Sequence, residues 1–379
     1  MRPADSAFST RLVSLDVFRG LTVMAMVVVN NPGDWGHIYP PFEHAEWNGC
    51  TPTDLVFPFF LFIVGVSLAY ALAGAKSSHA PLRPVLGRVA RRAAILFLLG
   101  VLTSLYPHFN FGTVRIMGVL QRIALVYLGC SIIYLKTSWQ TQAITLLAVL
   151  IGYAVLMQLV PVPGIGPANL EPATNFGAWL DRTLLTEPHL WAQSRTWDPE
   201  GILGTLPALG TGLLGALAGQ WLRWSGPAPV GKTAGLAIAA AVATAGGLLW
   251  ATWFPLNKAL WTSSYVLFTG GLALGLLAAL YWLYDVRVYR RSLAPALAFG
   301  INAIAVFFFS AILSRTFALL CLPGPAGQPV GLKEWLYGWG IAPFFSDPRA
   351  ASLAGAVVCL LIWLGILSLL RRQNWVWKV

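Results

Sequence analysis

The chain has 379 residues and a formal net charge of +11 at pH 7, yet only 10% of its residues are charged and 57% are hydrophobic. A soluble domain rarely exceeds about half apolar residues, and about a quarter of its residues are charged. The composition therefore excludes an ordinary soluble protein and predicts a multi-span membrane protein. Nucleic-acid binding is not expected, because the basic residues fall in short loops between apolar segments, where membrane topology accounts for them.

Ten segments are apolar over about the length needed to cross the roughly 30 Å core of a bilayer. They are 13–31, 53–74, 89–106, 116–135, 140–160, 203–222, 232–253, 261–283, 293–314 and 350–370. We predict an all-α fold, a polytopic integral membrane protein of about ten transmembrane helices, in a single domain over 1–379. The N-terminal stretch lacks a short apolar core with a cleavage site, so we expect the first span to act as its own insertion signal.

The basic residues are divided unevenly between the loops on the two sides of the predicted membrane. With the N-terminus in the cytoplasm, the inner stretches carry Arg2, Arg11, Lys76, Arg83, Arg88, Arg91, Arg92, Lys136, Arg223, Lys232, Arg287, Arg290, Arg291, Arg371, Arg372 and Lys378. The outer loops carry Arg115, Arg182, Arg195, Lys258, Arg315, Lys333 and Arg349. Positive charge favours the cytoplasmic side, so this distribution predicts that both termini lie inside.

Three loops on the predicted outer side are long, namely 32–52, 161–202 and 315–349, and all are rich in Pro, Gly, Trp and polar residues. The inner loops are mostly short and basic. Because function tends to reside on loops held by a rigid scaffold, we expect any chemistry on a polar substrate at the outer face.

His44 precedes the second span and has several polar neighbours, namely Glu43, Glu46, Asn48 and Asp54. Carboxylates close to a histidine can fix its tautomer and raise its basicity, which suits proton transfer near neutral pH. The alternative is that His44 is a solvated loop histidine, which is the commoner situation for an isolated histidine. Local composition leaves both interpretations open.

Two further polar clusters lie on the same predicted side. Asp198 and Glu200 stand in "TWDPEGILGT" before the sixth span, and Asn257, Lys258 and Trp261 stand in "FPLNKALWTSSY" before the eighth. Asp and Asn before an apolar run are ordinary helix caps, so capping explains part of both clusters. Capping does not explain why so many polar groups lie on one side.

Some polar residues fall inside the predicted spans. Asp16 and Arg19 share a helix face, so they form either a structural ion pair or a site at which Arg19 meets an anionic ligand. Gln121 and Arg122 lie in the fourth span, where a charge costs about 2.5–3.5 kcal/mol on insertion scales, which makes Arg122 a candidate anion site. Asn302 is equally consistent with an interhelical hydrogen bond and with a functional role.

Six segments resemble, in the same order, parts of heparan-α-glucosaminide N-acetyltransferase, and together they run from about residue 11 to the C-terminus. They are "RLVSLDVFRGLTVMAMVVVNN", "HAEWNGCTPTDLVFPFFLFIVGVSL", "VRIMGVLQRIALVY", "WDPEGILGTLPAL", "PLNKALWTSSYV" and "GINAI". The resemblance implies a membrane enzyme that uses cytosolic acetyl-CoA to acetylate a terminal glucosamine. For this chain the resemblance implies a bacterial relative in the inner membrane, with a homodimer as its plausible assembly. The resemblance does not include the family enzyme's large N-terminal lumenal portion.

Carried over by motif, the resemblance places His44 on the family's active-site histidine in "HAEWNG" and Asn30 on an asparagine near that histidine. We expect the catalytic residues to be His44, Asn30 and Asn257. The residues expected around the acceptor substrate are Glu43, Glu46, Asp54, Asp198, Glu200, Lys258 and Trp261. Those expected to bind acetyl-CoA are Arg19, Arg88, Arg91, Arg92, Gln121, Arg122 and Asn302.

Several alternatives stay open at this point. His44 could act as a general base for direct transfer or as a nucleophile that forms an acetyl-imidazole. The acceptor could be glucosamine, a cell-wall fragment or an exported oligosaccharide. The competing class is an amino-sugar transporter without acyl transfer, which ten spans and an outer polar chamber would also suit. No metal site is indicated, because the four cysteines have no paired spacing.

Overall fold

The structure is a computed structural model that describes residues 12–78, 81–289, 291, 293–324, 328–373, 375 and 377. Arg2, Arg11, Arg290 and Lys378, which entered the charge count, lie outside the described residues. The fold is mostly helical, at 69%. Each of the ten predicted spans coincides with a helix or, for one of them, with a broken pair of helices.

The helices follow one another in chain order with short connections, except at the long loops named above. Their bounds are α1 Val13–Val29, α2 Val56–Ala71, α3 Ala73–Ser77, α4 Leu82–Leu105, α5 Val119–Lys136, α6 Trp139–Leu159, α7 Phe176–Leu185, α8 Thr205–Arg223, α9 Pro229–Trp250, α10 Ser263–Tyr281, α11 Ala294–Ile301, α12 Ala303–Leu319, α13 Leu332–Gly340 and α14 Pro348–Arg372. A 3₁₀ turn, Pro52–Leu55, leads into α2, and a π-helical segment, Trp282–Val286, extends α10.

The long helices alternate in direction, so that their ends gather at two opposite ends of the bundle. At the end that contains His44, the Tyr153 hydroxyl near the end of α6 donates to the Leu260 carbonyl just before α10, at 2.5 Å. At the same end, the Gly33 amide after α1 donates to the Ser352 carbonyl in the first turns of α14, at 2.9 Å. We call this end the histidine end.

The opposite end contains Arg88, Arg91 and Arg92 in the first half of α4, and we call it the arginine end. There the Asp285 carboxylate accepts hydrogen bonds from the first two amides of α1, at 3.1 and 3.0 Å, and so caps that helix. The Lys76 ammonium of α3 donates to the Thr137 carbonyl between α5 and α6, at 2.8 Å.

Small residues allow the central helices to approach closely. A Cβ added at Gly65 of α2 would lie 2.0 Å from the Gly212 carbonyl oxygen of α8, and one added at Gly215 would lie 2.1 Å from that of Phe62. Because these glycines have no side-chain carbon, the two backbones can come into near contact, as is common between helices in membranes. Because α8 is enclosed by protein, close packing determines its composition more than contact with lipid does.

By length and hydropathy, six described helices could cross a membrane, and a bent pair would make a seventh. The six are Pro52–Ala71, Val119–Lys136, Trp139–Leu159, Pro229–Trp250, Ser263–Val286 and Pro348–Arg372. The predicted spans 13–31, 89–106 and 203–222 form α1, α4 and α8, but these three helices are not among those long and apolar enough to cross a membrane by the same criteria. The multi-span character is thus supported, whereas ten spans and their orientation stay a prediction.

Two features depart from ten plain helices. The predicted span 293–314 is broken at Asn302, where α11 and α12 meet at an angle of 77°. The Asn302 side chain accepts a hydrogen bond from the Trp377 amide, at 3.2 Å. In addition, Cys321–Pro323 (β1) and Pro329–Gly331 (β2) pair antiparallel, so the chain is not purely helical.

Candidate active site at the histidine end

A hydrogen bond between His44 and Asp54 forms the centre of the candidate site. The His44 Nδ1 atom lies 2.6 Å from the Asp54 Oδ1 atom, and the exposed fractions of the two side chains are 53% and 1%. An ionised carboxylate only accepts hydrogen bonds, so Asp54 places the ring proton on Nδ1 and leaves the Nε2 lone pair available. The imidazole is therefore oriented by a buried acid and presented to solvent.

Asp54 owes its position to the turn that begins the second span. Thr51 and Asp54 form a capping box: the Thr51 amide donates to Asp54 Oδ2 at 3.0 Å, and the Thr51 hydroxyl lies 3.1 Å from the same oxygen. The Ala45 amide also donates to Oδ2, at 3.1 Å. One carboxylate oxygen thus holds the loop that carries His44, while the other orients the imidazole.

Lys258 reaches the same imidazole from the loop between α9 and α10. Its Nζ atom lies 3.1 Å from Nδ1 and 3.2 Å from Nε2 of His44, and 3.7 Å from Asp54 Oδ1. Burial lowers the pKa of Lys258, although the Glu200 and Asp54 carboxylates act in the opposite direction. Since Nδ1–H is engaged by Asp54, Nε2 is the ring atom able to accept a hydrogen bond from the lysine.

Asn257 and Trp261 shape the loop that carries Lys258. The fully buried Asn257 side chain accepts from the Leu260 amide at 2.9 Å and donates to Asn48 Oδ1 at 3.2 Å. Trp261 is also fully buried, has a positive φ of 54°, and donates its indole N–H to the Thr211 hydroxyl at 3.1 Å. Both side chains position the loop, and Trp261 offers no surface to a substrate.

Arg115 joins the second acidic cluster and was missed as a site residue in the sequence analysis. Its guanidinium donates to both carboxylate oxygens of Asp198, at 2.8 and 2.5 Å, and also to Glu200. Burial acts to raise the pKa of Glu200, but Arg115, Arg122 and Lys258 hold that pKa below its ordinary value. The only available signal was that Arg115 lies within "VRIMGVLQRIALVY", one of the segments carrying the resemblance.

Arg122 lies at the histidine end, in the first turns of α5, and is fully buried. Its Nη2 atom donates to the Gly201 carbonyl at 3.0 Å, and its guanidinium stands 5.1 Å from the ring centre of Trp261. Its Nε and Nη1 atoms have no hydrogen-bond partner among the described residues. The structure thus groups Arg122 with the acidic cluster, away from the arginines of α4.

Asp181 of α7 contacts the segment that follows Glu200, at Gly201 and Ile202. Its Oδ1 atom accepts from the Ile202 amide at 2.9 Å, and a Cβ added at Gly201 would lie 2.0 Å from its Oδ2 atom. A cavity of about 20 Å³ adjoins it, with Trp47 and Trp197 in its wall, which is room for a single water molecule. Burial raises the pKa of Asp181 to about 7.

The remaining predicted residues fall into two groups. Glu43, Glu46 and Asn30 are exposed, and the described residues show no hydrogen bond from the Asn30 side chain to the His44 cluster. Gln121 is buried at the histidine end, where it packs against Gly100 of α4.

Arg19 lies deeper in the bundle, on the way to the arginine end. Its guanidinium pairs with Asp16 at 3.1 Å, donates to the Ser67 hydroxyl at 2.9 Å, and reaches the Gly300 carbonyl at 3.5 Å. The exposed residues Arg88, Arg91 and Arg92 lie on α4, and Arg92 stands 5.4 Å from the ring centre of Tyr127. No group of three or more His, Cys, Asp or Glu side chains in the described part of the chain could hold a metal ion.

These features define a multi-span helical membrane protein with a histidine–carboxylate pair at one end of the bundle. Comparison with known proteins goes one step further. The chain belongs to the family described as "Heparan-alpha-glucosaminide N-acetyltransferase, catalytic", whose sequence model matches residues 11–248. The resemblance drawn from the sequence is therefore confirmed. The matched range includes His44, Asp54, Arg115 and Glu200, and it ends before the loop that carries Lys258.

Two curated relatives extend the similarity to nearly the whole chain. The human heparan-alpha-glucosaminide N-acetyltransferase is 28% identical over an alignment that covers 99% of this chain and 61% of the human protein. The mouse protein of the same name is 26% identical, and its alignment covers 98% of this chain and 61% of the mouse protein. The chain thus spans about three fifths of the length of these relatives.

Proposed function

We propose that this protein is a single-domain membrane acetyltransferase of the bacterial inner membrane. It transfers an acetyl group from acetyl-CoA, bound from the arginine end in the cytoplasm, to the amine of an amino sugar at the histidine end in the periplasm. The observation that carries the proposal is the 2.6 Å hydrogen bond between the half-exposed His44 and the buried Asp54, in a chain that belongs to an N-acetyltransferase family.

His44 supplies the basic nitrogen that the reaction needs. An amine becomes a nucleophile only after it loses a proton, and Nε2 of His44 can accept that proton while Asp54 stabilises the resulting imidazolium. In direct attack of the amine on the thioester, the C–S bond breaks and His44 passes the same proton to the departing CoA thiolate. An acetyl-imidazole intermediate would instead give ping-pong kinetics, so initial-rate measurements with both substrates varied distinguish the two routes.

The surroundings of His44 suggest how an amino sugar is held. Glu43 and Glu46 are exposed on the same loop and provide negative charge that attracts a protonated amine. Asn257 is fully buried and uses its amide within the loop, so we assign it to positioning Lys258. We assign the donor to the developing oxyanion to Asn30, which is exposed at the histidine end of α1.

The donor needs cations for its phosphates and a short path to His44. The exposed Arg88, Arg91 and Arg92 suit phosphate binding at the arginine end. Arg19 contacts Ser67, which follows Asp54 by thirteen residues, so it lies roughly 20 Å from Asp54 along α2 at 1.5 Å per residue. A phosphate held by Arg19 would leave the CoA arm to cover this distance instead of the full bilayer core of roughly 30 Å.

Arg19 also lies beside the break between α11 and α12, where Asn302 interrupts the helical hydrogen bonding. Broken helices in membrane proteins often surround a binding site. We therefore retain Arg19 and Asn302 as proposed donor contacts. We do not retain Arg122 and Gln121 in that role, because the structure places both at the histidine end.

The direct test is purified protein in lipid, supplied with acetyl-CoA and a panel of amino sugars, with the products identified by mass spectrometry. The wild type should acetylate at least one amino sugar, and His44→Ala should not. His37→Ala is the matched control, because His37 is a second exposed histidine of the same loop and pairs with Asp34 at 2.7 Å. Its activity should equal that of the wild type.

Two results would overturn the proposal. One is full acetyl transfer by His44→Ala. The other is accumulation of unmodified amino sugar in vesicles that contain no CoA, which would identify a transporter. Sidedness has a separate test, because Cys321 is exposed at the histidine end. A membrane-impermeant thiol reagent added outside intact spheroplasts should label Cys321, and protection of Cys321 there would refute the proposed orientation.

A further inference from the structure

A primary amine of the protein itself stands beside the imidazole proposed to activate an acceptor amine. Lys258 Nζ is 3.2 Å from His44 Nε2, a hydrogen-bonding distance, and it lies 3.1 Å from Nδ1. The acceptor amine must occupy a comparable position in order to give its proton to Nε2. The lysine is held there by Asp54, 3.7 Å away, and by the buried loop around Asn257 and Trp261.

We propose that Lys258 is a self-acetylation site: when acetyl-CoA is bound and no amino sugar is present, the acetyl group passes to Lys258 Nζ. This inference rests on the proposed function and deepens it, because it assigns a second acceptor to the same centre. The consequence is an enzyme that inactivates itself when the donor is abundant and the acceptor is scarce.

The step balances with the groups already present. The lone pair of the neutral lysine amine attacks the thioester carbonyl carbon, forming an N–C bond, and the C–S bond breaks. His44 takes the proton released from Nζ and passes it to the departing CoA thiolate, so the products are acetyl-lysine and CoA. Reacting atoms must approach to about 3–3.5 Å. A thioester carbonyl carbon that is this close to an acceptor amine bound at His44 Nε2 is also within reach of Lys258 Nζ, which occupies the same place.

Attack requires the neutral amine, and the surroundings control how much of it is present. Burial lowers the pKa of Lys258 and so favours the neutral form, whereas the carboxylates of Glu200 and Asp54 favour the charged form. His44 is the other titratable group in contact. The charged form protects Lys258, because an ammonium ion has no lone pair, and self-acetylation should therefore accelerate as pH rises.

Acetylation would disable the site in two ways. The amide has no positive charge, so Asp54 and Glu200 lose a cation that faces them, and an amide does not reverse under the conditions of the reaction. The added acetyl group would also fill the space beside Nε2 of His44, where the acceptor amine must stand. Activity should therefore decline in proportion to the fraction of Lys258 that is modified.

The experiment incubates the wild-type protein in lipid with acetyl-CoA alone, and in parallel with acetyl-CoA plus glucosamine. Peptide mass spectrometry then measures acetylation at each lysine. Lys333 is the matched internal control, because it lies on α13, its pKa is also lowered by burial, and it is not in contact with His44. We expect acetylation of Lys258 to exceed that of Lys333 at least tenfold, to fall when glucosamine is added, and to disappear in His44→Ala.

The outcomes separate this proposal from the proposed function. Transfer to glucosamine with no excess acetylation of Lys258 over Lys333 would overturn self-acetylation and leave the transferase standing. Equal acetylation of Lys258 in His44→Ala would show ordinary chemical modification and would also overturn it. If neither glucosamine nor Lys258 is acetylated, both proposals fail together. The wild-type protein checks the consequence: after incubation with acetyl-CoA alone, its initial rate on glucosamine should fall in proportion to the acetylated fraction of Lys258, and an undiminished rate at high acetylation would contradict the proposed inactivation.

Discussion

The substitution Asp54→Asn tests the histidine–carboxylate pair without changing its shape. The two oxygens of Asp54 have different partners: Oδ2 accepts from the Ala45 amide and from the amide and hydroxyl of Thr51, whereas Oδ1 accepts from His44. An asparagine must therefore turn its carbonyl oxygen towards the three donors. Its amide nitrogen then faces His44 Nδ1 and donates to it.

That reversal moves the imidazole proton to Nε2, so the nitrogen facing the substrate is no longer basic. General-base catalysis is typically worth 10²–10⁴-fold in rate. The His44 side chain is 53% exposed, so part of the population can flip its ring and recover the reactive tautomer. We therefore expect kcat to fall by roughly 100-fold, at the low end of that range. The weaker hydrogen bonds of a neutral amide should lower stability by about 1 kcal/mol.

The assay measures kcat and KM for acetyl-CoA and for glucosamine, together with the midpoint of thermal unfolding in detergent. Thr51→Ala is the control: it removes the hydroxyl that contacts Asp54 Oδ2 and the Glu43 carbonyl and costs about 1 kcal/mol as a lost cap, but it leaves the His44 tautomer unchanged. Its kcat should stay near the wild-type value. Wild-type kcat in Asp54→Asn, or equal losses of kcat in the two variants, would refute the tautomer argument.

Three further predictions concern the acidic cluster. Arg115→Gln should lower the free energy of unfolding by about 3 kcal/mol, because the buried carboxylates of Asp198 and Glu200 lose the cation that is hydrogen-bonded to both. Gly201→Ala should cost about 1–3 kcal/mol, because its Cβ would collide with Asp181. Because the pKa of Asp181 is raised from 3.8 to about 7, its protonated form stabilises the fold at low pH, and up to about 4 kcal/mol is lost progressively as pH rises from about 4 to about 7. Asp181→Asn should remove this dependence.

Each of these predictions has a matched control measured by thermal unfolding in detergent. Arg195→Gln removes an exposed arginine from the same loop and should change stability by less than about 0.5 kcal/mol. Gly74→Ala adds a methyl group where nothing lies within 4 Å, and it should stabilise its helix slightly. Glu171→Gln neutralises an exposed acid and should keep the wild-type pH dependence. Controls that shift as much as the test variants would contradict all three arguments.

The sequence was most informative about the spans, which are long apolar runs, and about the polar residues at their boundaries. Every predicted span contains a helix, because twenty or so apolar residues leave few alternatives to a helix in lipid. The polar group around His44 was visible for the same reason, since it interrupts the pattern at a boundary. Its contact with Lys258 was not visible, because the two residues are 214 positions apart and only the packing of α2 against α10 brings them together.

Depth within a span was harder to predict than the span itself. Arg122 was interpreted as a deep cation for the donor because it lies inside an apolar run. In the structure, α5 begins at Val119, so Arg122 falls in its first turn and joins the acidic cluster. The break at Asn302 was also hidden, because the hydropathy of the segment is continuous across it.

Six charged side chains clustered around Asp54 and Glu200 cancel one another, which makes the helix termini beside them important. Three carboxylates face three cations there: Asp54, Asp198 and Glu200 against Arg115, Arg122 and Lys258. The helices α2, α5, α8 and α10 all begin at this end, and each N-terminus carries about half a positive charge. With these six side chains balanced, the helix termini add a net field to this cluster. That field is positive, so in the proposed transfer reaction it would favour the transient oxyanion beside His44 without a further cation in contact with it.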